Sequence, residues 1–220
     1  MCRRRSGINF YATDNNAMRP PCIYRMLFPG AVWRIKEEGR KRVFLTFDDG
    51  PIPEHTPWVL DVLDRYGAKA TFFMVGENVD RYPEVYAEVV RRGHSVGNHT
   101  FQHMQGIGHS VASYVDNVDA CGRKVDSLLF RPPHGLMRPL QLMKLRGKYK
   151  IIMYDVVARD YSSKLTGDEV FETVRRSVRD GSVIVFHDSV KAAPRLRESL
   201  PRVMEWLKEQ GYEFGAIPMA

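Results

Sequence analysis

The sequence predicts a single α/β domain whose parallel strands close into a seven-stranded barrel, and two observations lead to that prediction. From residue 43 onward, short apolar runs rich in β-branched and aromatic residues alternate with segments of helical spacing. Polar side chains suited to catalysis end or follow five of the seven runs. An open doubly wound sheet collects such residues mainly at one crevice, whereas a closed barrel brings every carboxyl end to one mouth. Their spread therefore favours the barrel.

The predicted strands are the apolar runs themselves, namely residues 43–47, 70–75, 95–98, 128–131, 150–155, 182–187 and 212–217. Between them, apolar residues recur at the spacing of a buried helix face. Four such stripes contain Val59 and Leu63, Val85 and Val89, Val174 and Val178, and Leu196 and Leu200. Pro83 stands where a helix would begin, and Gly67, Gly93, Gly181 and Gly211 stand where helices would end.

The first 42 residues differ from the rest of the chain in charge. They hold ten Lys/Arg against three Asp/Glu, whereas residues 43–220 hold twenty-three of each, so the leading segment accounts for the whole net charge of +7. A catalytic domain over 43–220 is therefore expected to have no bulk attraction for nucleic acid. Residues 1–42 are interpreted as a basic, solvated segment, with residues 1–17 disordered and Met18 as an alternative start. A membrane-surface contact by residues 19–42 is the alternative role.

The cysteines and the N-terminus indicate a reducing, cytoplasmic location. Cys2, Cys22 and Cys121 are odd in number and lack CxxC spacing, which does not suit a disulfide framework or a thiolate zinc site. The arginines at 3–5 are not followed by the apolar stretch of a secretory signal. No apolar run approaches the ~20 residues that a membrane span needs.

Two adjacent carboxylates follow the first predicted strand, in the segment Thr-Phe-Asp-Asp-Gly-Pro at 46–51. Asp-Gly-Pro alone is typical of a turn, so the acids could simply end a strand. However, Asp48 and Asp49 at a low-dielectric barrel mouth would repel each other unless a cation or strong donors relieved them. Their adjacency also allows one to bind a metal ion while the other faces a substrate.

His99 and His103 are four residues apart. On a helical turn, this spacing would place both imidazoles on one face, with Cβ atoms about 6 Å apart. A lone pair of this kind is often made of ordinary surface or core histidines. Together with Asp49, however, it forms the three-ligand, open-position set of a catalytic zinc site. His94 and His109 have no partner at ligand spacing and are interpreted as structural or surface residues.

Two more strand ends carry a cation and an imidazole. Arg131, followed by two prolines, is suited to hold a carboxylate in one geometry, with a structural ion pair as the alternative. His187 ends the apolar run 182–187, where a histidine can be either catalytic or a hydrogen-bonded core residue.

Together these segments resemble the polysaccharide deacetylase family, which is carbohydrate esterase family 4 or the NodB-homology domain. The likeness runs from residue 43 to the C-terminus, with five motifs in the family's order. They are Thr-Phe-Asp-Asp-Gly-Pro at 46–51, Gly-Asn-His-x-x-x-His at 97–103, Arg-Pro-Pro-His-Gly at 131–135, Asp-Tyr at 160–161, and the strand that ends at His187. The resemblance implies a distorted, TIM-like (β/α)7 barrel and metal-assisted removal of acetyl groups from sugars.

The resemblance also implies the metal site. Asp49, His99 and His103 would be the ligands of one divalent ion, with zinc expected and cobalt, nickel or manganese as alternatives. The ion would polarise the acetyl carbonyl and lower the pKa of bound water.

Acid and base roles follow from the same resemblance. Asp48 would be the general base and His187 the general acid, which protonates the departing amine. Arg131 would position Asp48, and Asp160 would orient His187. The backbone N–H at His134 would stabilise the oxyanion.

Three residues depart from the family pattern: His134 replaces the usual Tyr, Tyr161 the usual Trp, and Val185 the usual Leu. The first change keeps the backbone donor. Tyr161 and Val185 lie where the acetyl methyl is normally enclosed, so an altered acyl pocket is expected. No catalytic group is missing.

The sequence thus predicts a metal-dependent deacetylase of polysaccharides or oligosaccharides that contain N-acetylglucosamine-type sugars. Three alternatives stay open. One is an O-acetyl esterase on a glycan such as xylan, another is a deacylase of a cytoplasmic or lipid-linked sugar conjugate, and the third is a catalytically silent glycan-binding relative. An acetylated carbohydrate is the expected partner, and the sequence does not define an oligomeric state.

Overall fold

The structure, a computed structural model, describes residues 19–219. The predicted disorder of residues 1–17 therefore lies outside the described residues. The described strands are Arg42–Asp48 (β1), Thr71–Met74 (β2), Ser95–Asn98 (β3), Leu129–Phe130 (β4), Lys150–Ile151 (β5), Val156–Val157 (β6), Val183–His187 (β7) and Glu213–Phe214 (β8). The α-helices are Cys22–Met26 (α1), Thr56–Arg65 (α2), Gly76–Arg81 (α3), Pro83–Arg91 (α4), Val111–Gly122 (α5), Pro139–Leu145 (α6), Gly167–Ser177 (α7) and Ala193–Glu209 (α8). Gly106–Gly108 and Pro133–Gly135 form 3-10 turns.

All strand pairs are parallel, and the strand order is β5-β4-β3-β2-β1-β7-β6, with β8 beside the start of β1. The sheet curls into the distorted (β/α)7 barrel of one domain, so the predicted fold class is confirmed. In the register of the central strands, Asp48 lies opposite Phe73 of β2 and His187 of β7. The carboxyl ends of these strands therefore meet at one level.

The opening of the barrel lies between β5 and β6, and residues 152–155, which connect these two strands, cross it. The N–H of Ile152 donates to the Phe130 carbonyl on one side, and the N–H of Asp155 donates to the Val183 carbonyl on the other. The predicted single strand over 150–155 is therefore wrong. These residues leave β4 and reach β7, where β6 begins, because the curled sheet ends at this point.

The four predicted helical stripes correspond to α2, α4, α7 and α8. The main hydrophobic core lies between β1, β2 and β7 and the apolar faces of α2, α7 and α8. Phe47 stacks between Phe72 and Phe186, with ring centroids 5.0 and 5.9 Å away. This core fixes β1, the strand that ends in Asp48.

The described part of the N-terminal segment is packed against the barrel, so its interpretation as solvated is wrong. Tyr24 and Phe28 are buried in a second apolar cluster beside Met153 and Tyr154. The expectation failed because a count of charges ignores their partners. Arg42, for example, pairs with Glu37 and Glu213.

Candidate active site

The mouth of the barrel brings together carboxylates and imidazoles from β1, β3 and β7. Asp48 is the last residue of β1, and Asp49 follows with a left-handed backbone (φ 83°). His99 directly follows β3, and His187 is the last residue of β7. Sequence-distant residues thus share one site because parallel strands end on the same side.

The three predicted metal ligands form one cluster. Asp49, His99 and His103 each offer a ligand atom within 4.8 Å of the others. The Asp49 Oδ1 atom lies 3.2 Å from His103 Nε2 and 3.8 Å from His99 Nε2. This oxygen is buried, yet it has no hydrogen-bond partner among the described residues. One carboxylate and two imidazoles fit a divalent ion such as zinc, which would satisfy that oxygen.

His99 is held in the state that metal binding requires. Its Nδ1 atom lies 2.8 Å from the Arg131 carbonyl oxygen. Because a carbonyl only accepts, Nδ1 carries the proton and Nε2 keeps its lone pair towards Asp49. Burial lowers the pKa of His99 to about 4, so the imidazole is neutral at physiological pH.

Residues 99–103 do not form the predicted helical turn. The backbone is left-handed at Thr100 (φ 65°) and His103 (φ 52°), and the segment is a loop. Two asparagines hold this loop: Asn98 Oδ1 accepts from the Thr100 N–H, and Asn117 Oδ1 accepts from the Phe101 N–H, each at 2.9 Å. The imidazole rings still meet, 5.2 Å apart, because the loop reverses and not because of helical spacing.

The carboxylate of Asp48 is fixed by a buried arginine. Arg131 is 1% exposed, and its Nη1 donates to Asp48 Oδ1 at 2.7 Å. The same nitrogen donates to Thr46 Oγ1, also at 2.7 Å. The other carboxylate oxygen of Asp48 lies 4.0 Å from His99 Nε2, beside the cluster of predicted metal ligands. Arg131 thus holds Asp48 by one carboxylate oxygen and leaves the other on the side of His99.

His187 is held by Asp160, which is fully buried. The carboxylate accepts from His187 Nδ1 and from the His187 backbone N–H, both at 2.8 Å. Burial alone would lower the pKa of His187, but the charge of Asp160 outweighs it, helped by Asp49 and Asp48, and raises the pKa to about 9. His187 is therefore an imidazolium at neutral pH, with its Nε2 proton available for donation.

The three departures from the family pattern occupy different places. His134 has a left-handed backbone (φ 57°), and its ring stands 4.9 Å from that of His103. The Tyr161 ring packs edge-on against His187 at 5.0 Å. Val185 is buried on β7, opposite Thr46. His134 and Tyr161 thus line the mouth, while Val185 lies below it.

Asp188 is a part of the site that sequence reasoning missed. It is fully buried, and its carboxylate accepts from the Gly50 N–H at 3.1 Å and from the Thr56 hydroxyl. A Cβ atom at Gly50 would lie only 2.2 Å from this carboxylate, so only glycine fits there. Burial raises the pKa of Asp188 to about 7. Asp188 therefore fixes the turn that presents Asp49; its position directly after His187 was the available sequence clue.

Comparison with known proteins agrees with this geometry. The family described as "Polysaccharide deacetylase" matches residues 35–143. A peptidoglycan-N-acetylglucosamine deacetylase of Bacillus cereus is 31% identical over 194 residues, which cover 84% of this chain and 90% of that protein. This chain belongs to the polysaccharide deacetylase family. A chitooligosaccharide deacetylase of Bradyrhizobium is 32% identical over 199 residues, which cover 82% of this chain and 90% of that protein.

Solved structures show the same relationship. The structure of the Bc1960 peptidoglycan N-acetylglucosamine deacetylase superimposes with a TM-score of 0.77 at 27% identity, covering 86% of this chain and 91% of that one. Deacetylases of this family depend on a metal ion, and the Asp/His/His cluster is the candidate site for it in this chain.

Replacing His103 by alanine should remove most of the bound metal. Two protein ligands would remain, and an open zinc site normally uses three. We expect zinc affinity, measured by chelator competition, to fall by more than the about 10- to 100-fold lost when an outer hydrogen-bond partner is removed. His109→Ala, which removes an exposed imidazole outside the cluster, is the control. Circular dichroism checks folding, and unchanged metal affinity in a folded His103→Ala protein would refute the ligand assignment.

Asp160→Asn should shift the pH dependence of catalysis. A general acid acts only while protonated, so activity falls as the pH rises through the His187 pKa. Without the Asp160 charge this pKa drops, and the alkaline limb of kcat/KM should move to lower pH by about one unit or more. Asp168→Asn, an exposed change on α7, should leave the limb in place. If the alkaline limb of the kcat/KM profile lies at the same pH in Asp160→Asn as in the wild type, the ionisation of His187 does not control it.

Proposed function

We propose that this protein hydrolyses the acetamide of N-acetylglucosamine-type sugars in a polysaccharide or oligosaccharide, with one divalent metal ion, most suitably zinc. The observation that carries the proposal is the arrangement of charged side chains at the barrel mouth. The cluster of predicted metal ligands is flanked by the Asp48 carboxylate, which Arg131 holds, and by the His187 imidazolium, which Asp160 holds. Hydrolysis of an amide requires such a base and such an acid on either side of one polarised carbonyl.

Each protein group has a defined task in this proposal. When bound, the ion would supply Lewis-acid polarisation of the acetyl carbonyl and acidify the attacking water. Asp48 accepts the proton of that water as it attacks. The His134 N–H, presented by a left-handed turn, donates to the developing oxyanion. His187 gives its Nε2 proton to the sugar nitrogen, which then leaves as an amine.

The protonation state of His187 favours amide over ester as the substrate bond. An amine is a poor leaving group unless it is protonated, whereas a sugar alkoxide leaves with less help. An acid whose pKa is raised to about 9 is charged and ready across the neutral range. The two similar proteins named above, a peptidoglycan-N-acetylglucosamine deacetylase and a chitooligosaccharide deacetylase, support the same choice.

The remaining alternatives differ in what supports them. The O-acetyl esterase stays possible chemistry for the same groups, while the intact Asp48 and His187 argue against a silent glycan-binding relative. Membrane contact by residues 19–42 stays a prediction; the exposed Ile23 and Met26 of α1, and Leu27 directly after it, are the apolar side chains that support it. The cytoplasmic location also stays a prediction. Within residues 19–219, no helix has the length and apolar character needed to cross a bilayer.

The proposed function is tested by acetate release from three substrates. Zinc-loaded protein should release acetate from chitooligosaccharides faster than from acetylxylan, with free N-acetylglucosamine as a test of chain-length need. Faster release from acetylxylan would favour the O-acetyl esterase over the proposed amide hydrolase. No release from any of them would overturn the proposal.

His187→Ala should separate amide from ester chemistry. General acid assistance is worth roughly 10²- to 10⁴-fold, so amide hydrolysis should fall by that factor. Hydrolysis of a small activated acetate ester should fall less, because attack still relies on Asp48. Equal losses would make His187 a structural or substrate-holding residue, and no loss on the amide would move the acid role to another residue, His134 first.

A further inference from the structure

The described part of the N-terminal segment reaches two parts of the catalytic machinery. Residues 19–34, here called the N-terminal brace, lie outside the residues matched by the family, which begin at 35. We propose that this brace positions the oxyanion turn and the arginine of the catalytic base. The proposal rests on the proposed function for its meaning, but its contacts are independent of the substrate.

The first contact supports the oxyanion turn. His134 and Gly135 are consecutive left-handed residues, with φ values of 57° and 68°. A left-handed backbone is unfavourable for a residue with a side chain, such as His134, so surrounding structure must stabilise it. The buried Tyr24 hydroxyl donates to the Gly135 carbonyl. A Cβ atom at Gly135 would lie 2.8 Å from the hydroxyls of both Tyr24 and Tyr154, so the turn is enclosed between two phenols.

The second contact supports the arginine that holds Asp48. Arg131 donates from Nε to the Ile152 carbonyl at 3.2 Å and from Nη2 to the Met153 carbonyl at 3.0 Å. These carbonyls belong to the stretch that crosses the barrel opening. Val32 of the brace pairs with that stretch, because its N–H donates to Ile151 and its carbonyl accepts from the Met153 N–H, both at 2.8 Å. The brace thus holds the backbone at residues 151–153, and the carbonyls of residues 152 and 153 in turn hold the Arg131 guanidinium.

The brace is itself anchored by charge and by aromatic packing. Arg25 donates to the fully buried carboxylate of Asp155 at 2.9 Å, and Arg179 donates to the same carboxylate at 2.6 Å. Trp33 packs edge-on against Tyr24 and Tyr154, at 5.6 and 6.0 Å. A partly buried ion pair and an aromatic cluster hold α1 in place more firmly than a surface contact would.

Two of the three metal ligands, Asp49 and His103, are held from a different side, whereas His99 also bonds to the Arg131 carbonyl. Asn78 donates to the Asp49 carbonyl, and the loop that carries His103 is held by Asn98 and Asn117. A local loss in the brace should therefore disturb the turnover step and leave metal binding in place. A purely structural role would weaken both together.

The test compares Tyr24→Phe with Tyr114→Phe in the full chain. Both tyrosines are buried, but the Tyr114 hydroxyl has no hydrogen-bond partner among the described residues, so its removal is the matched control. Tyr24→Phe should lower kcat on chitooligosaccharides by about tenfold, less than the 10²- to 10³-fold lost with an oxyanion donor. KM and zinc affinity should stay within about twofold. Arg25→Met, which removes the anchor, should act in the same direction.

Hydrogen–deuterium exchange provides a readout that needs no activity. The amides of Arg131 and of residues 134–136 should exchange faster in Tyr24→Phe, and those of 97–103 should not. In Tyr24→Phe, unaltered exchange in the 131–136 segment, or parallel losses of kcat and zinc affinity, would overturn the proposal that the brace positions the turn. If the wild-type protein releases no acetate, the proposed function fails, and exchange alone decides whether the brace holds the turn.

Discussion

The buried ion pair between Arg131 and Asp48 is the interaction on which the site depends. The guanidinium is 1% exposed, and leaving such a charge without its partner typically costs 3–5 kcal/mol. Its donors are used by Asp48, by Thr46 and by two backbone carbonyls, and its Cζ atom lies 4.1 Å from the centroid of the Phe73 ring. The carbonyl of the same residue accepts from His99. One side chain and its backbone thereby connect the base, a metal ligand and the barrel opening.

Charge balance explains why the mouth suits a cation. Asp48 is matched by Arg131, and Asp160 is matched by the imidazolium of His187. Asp49 has no buried cation of its own: its Oδ1 lies 3.2 Å from His103 Nε2 and 3.8 Å from the neutral His99, and it has no hydrogen bond of good geometry among the described residues. A divalent ion is therefore the charge that this arrangement lacks. The two adjacent aspartates differ in role because their neighbours differ.

Much of this arrangement was predictable from the sequence. Alternation of apolar runs and helical stripes indicated a parallel sheet, because burial on both sides of such a sheet leaves that pattern. The spread of polar residues over five strand ends favoured a closed barrel. The motif residues could be placed at strand ends, so their convergence at the mouth followed from the fold. The structure places all ten predicted site residues at or just below that mouth.

Other features depended on long-range contacts that no local pattern shows. The crossing stretch at 152–155 has the composition of a strand, and only the end of the curled sheet shows that it pairs on two sides. The backbone at His103 is left-handed, which a spacing rule for helices cannot reveal. The N-terminal brace was mistaken for a solvated segment because Arg25 finds its partner 130 residues away. Asp188 was missed because burial, not residue type, gives it its role.

The central claim is that adjacent carboxylates divide the work, Asp48 as base and Asp49 as metal ligand. It is tested most directly by measuring zinc affinity and turnover together in Asp48→Asn and Asp49→Asn, since an amide nearly matches a carboxylate in shape. The account predicts that Asp48→Asn keeps the ion and loses roughly 10²- to 10⁴-fold in turnover, while Asp49→Asn binds the ion weakly. An equal fall of zinc affinity in both variants, or full turnover in Asp48→Asn, would contradict it.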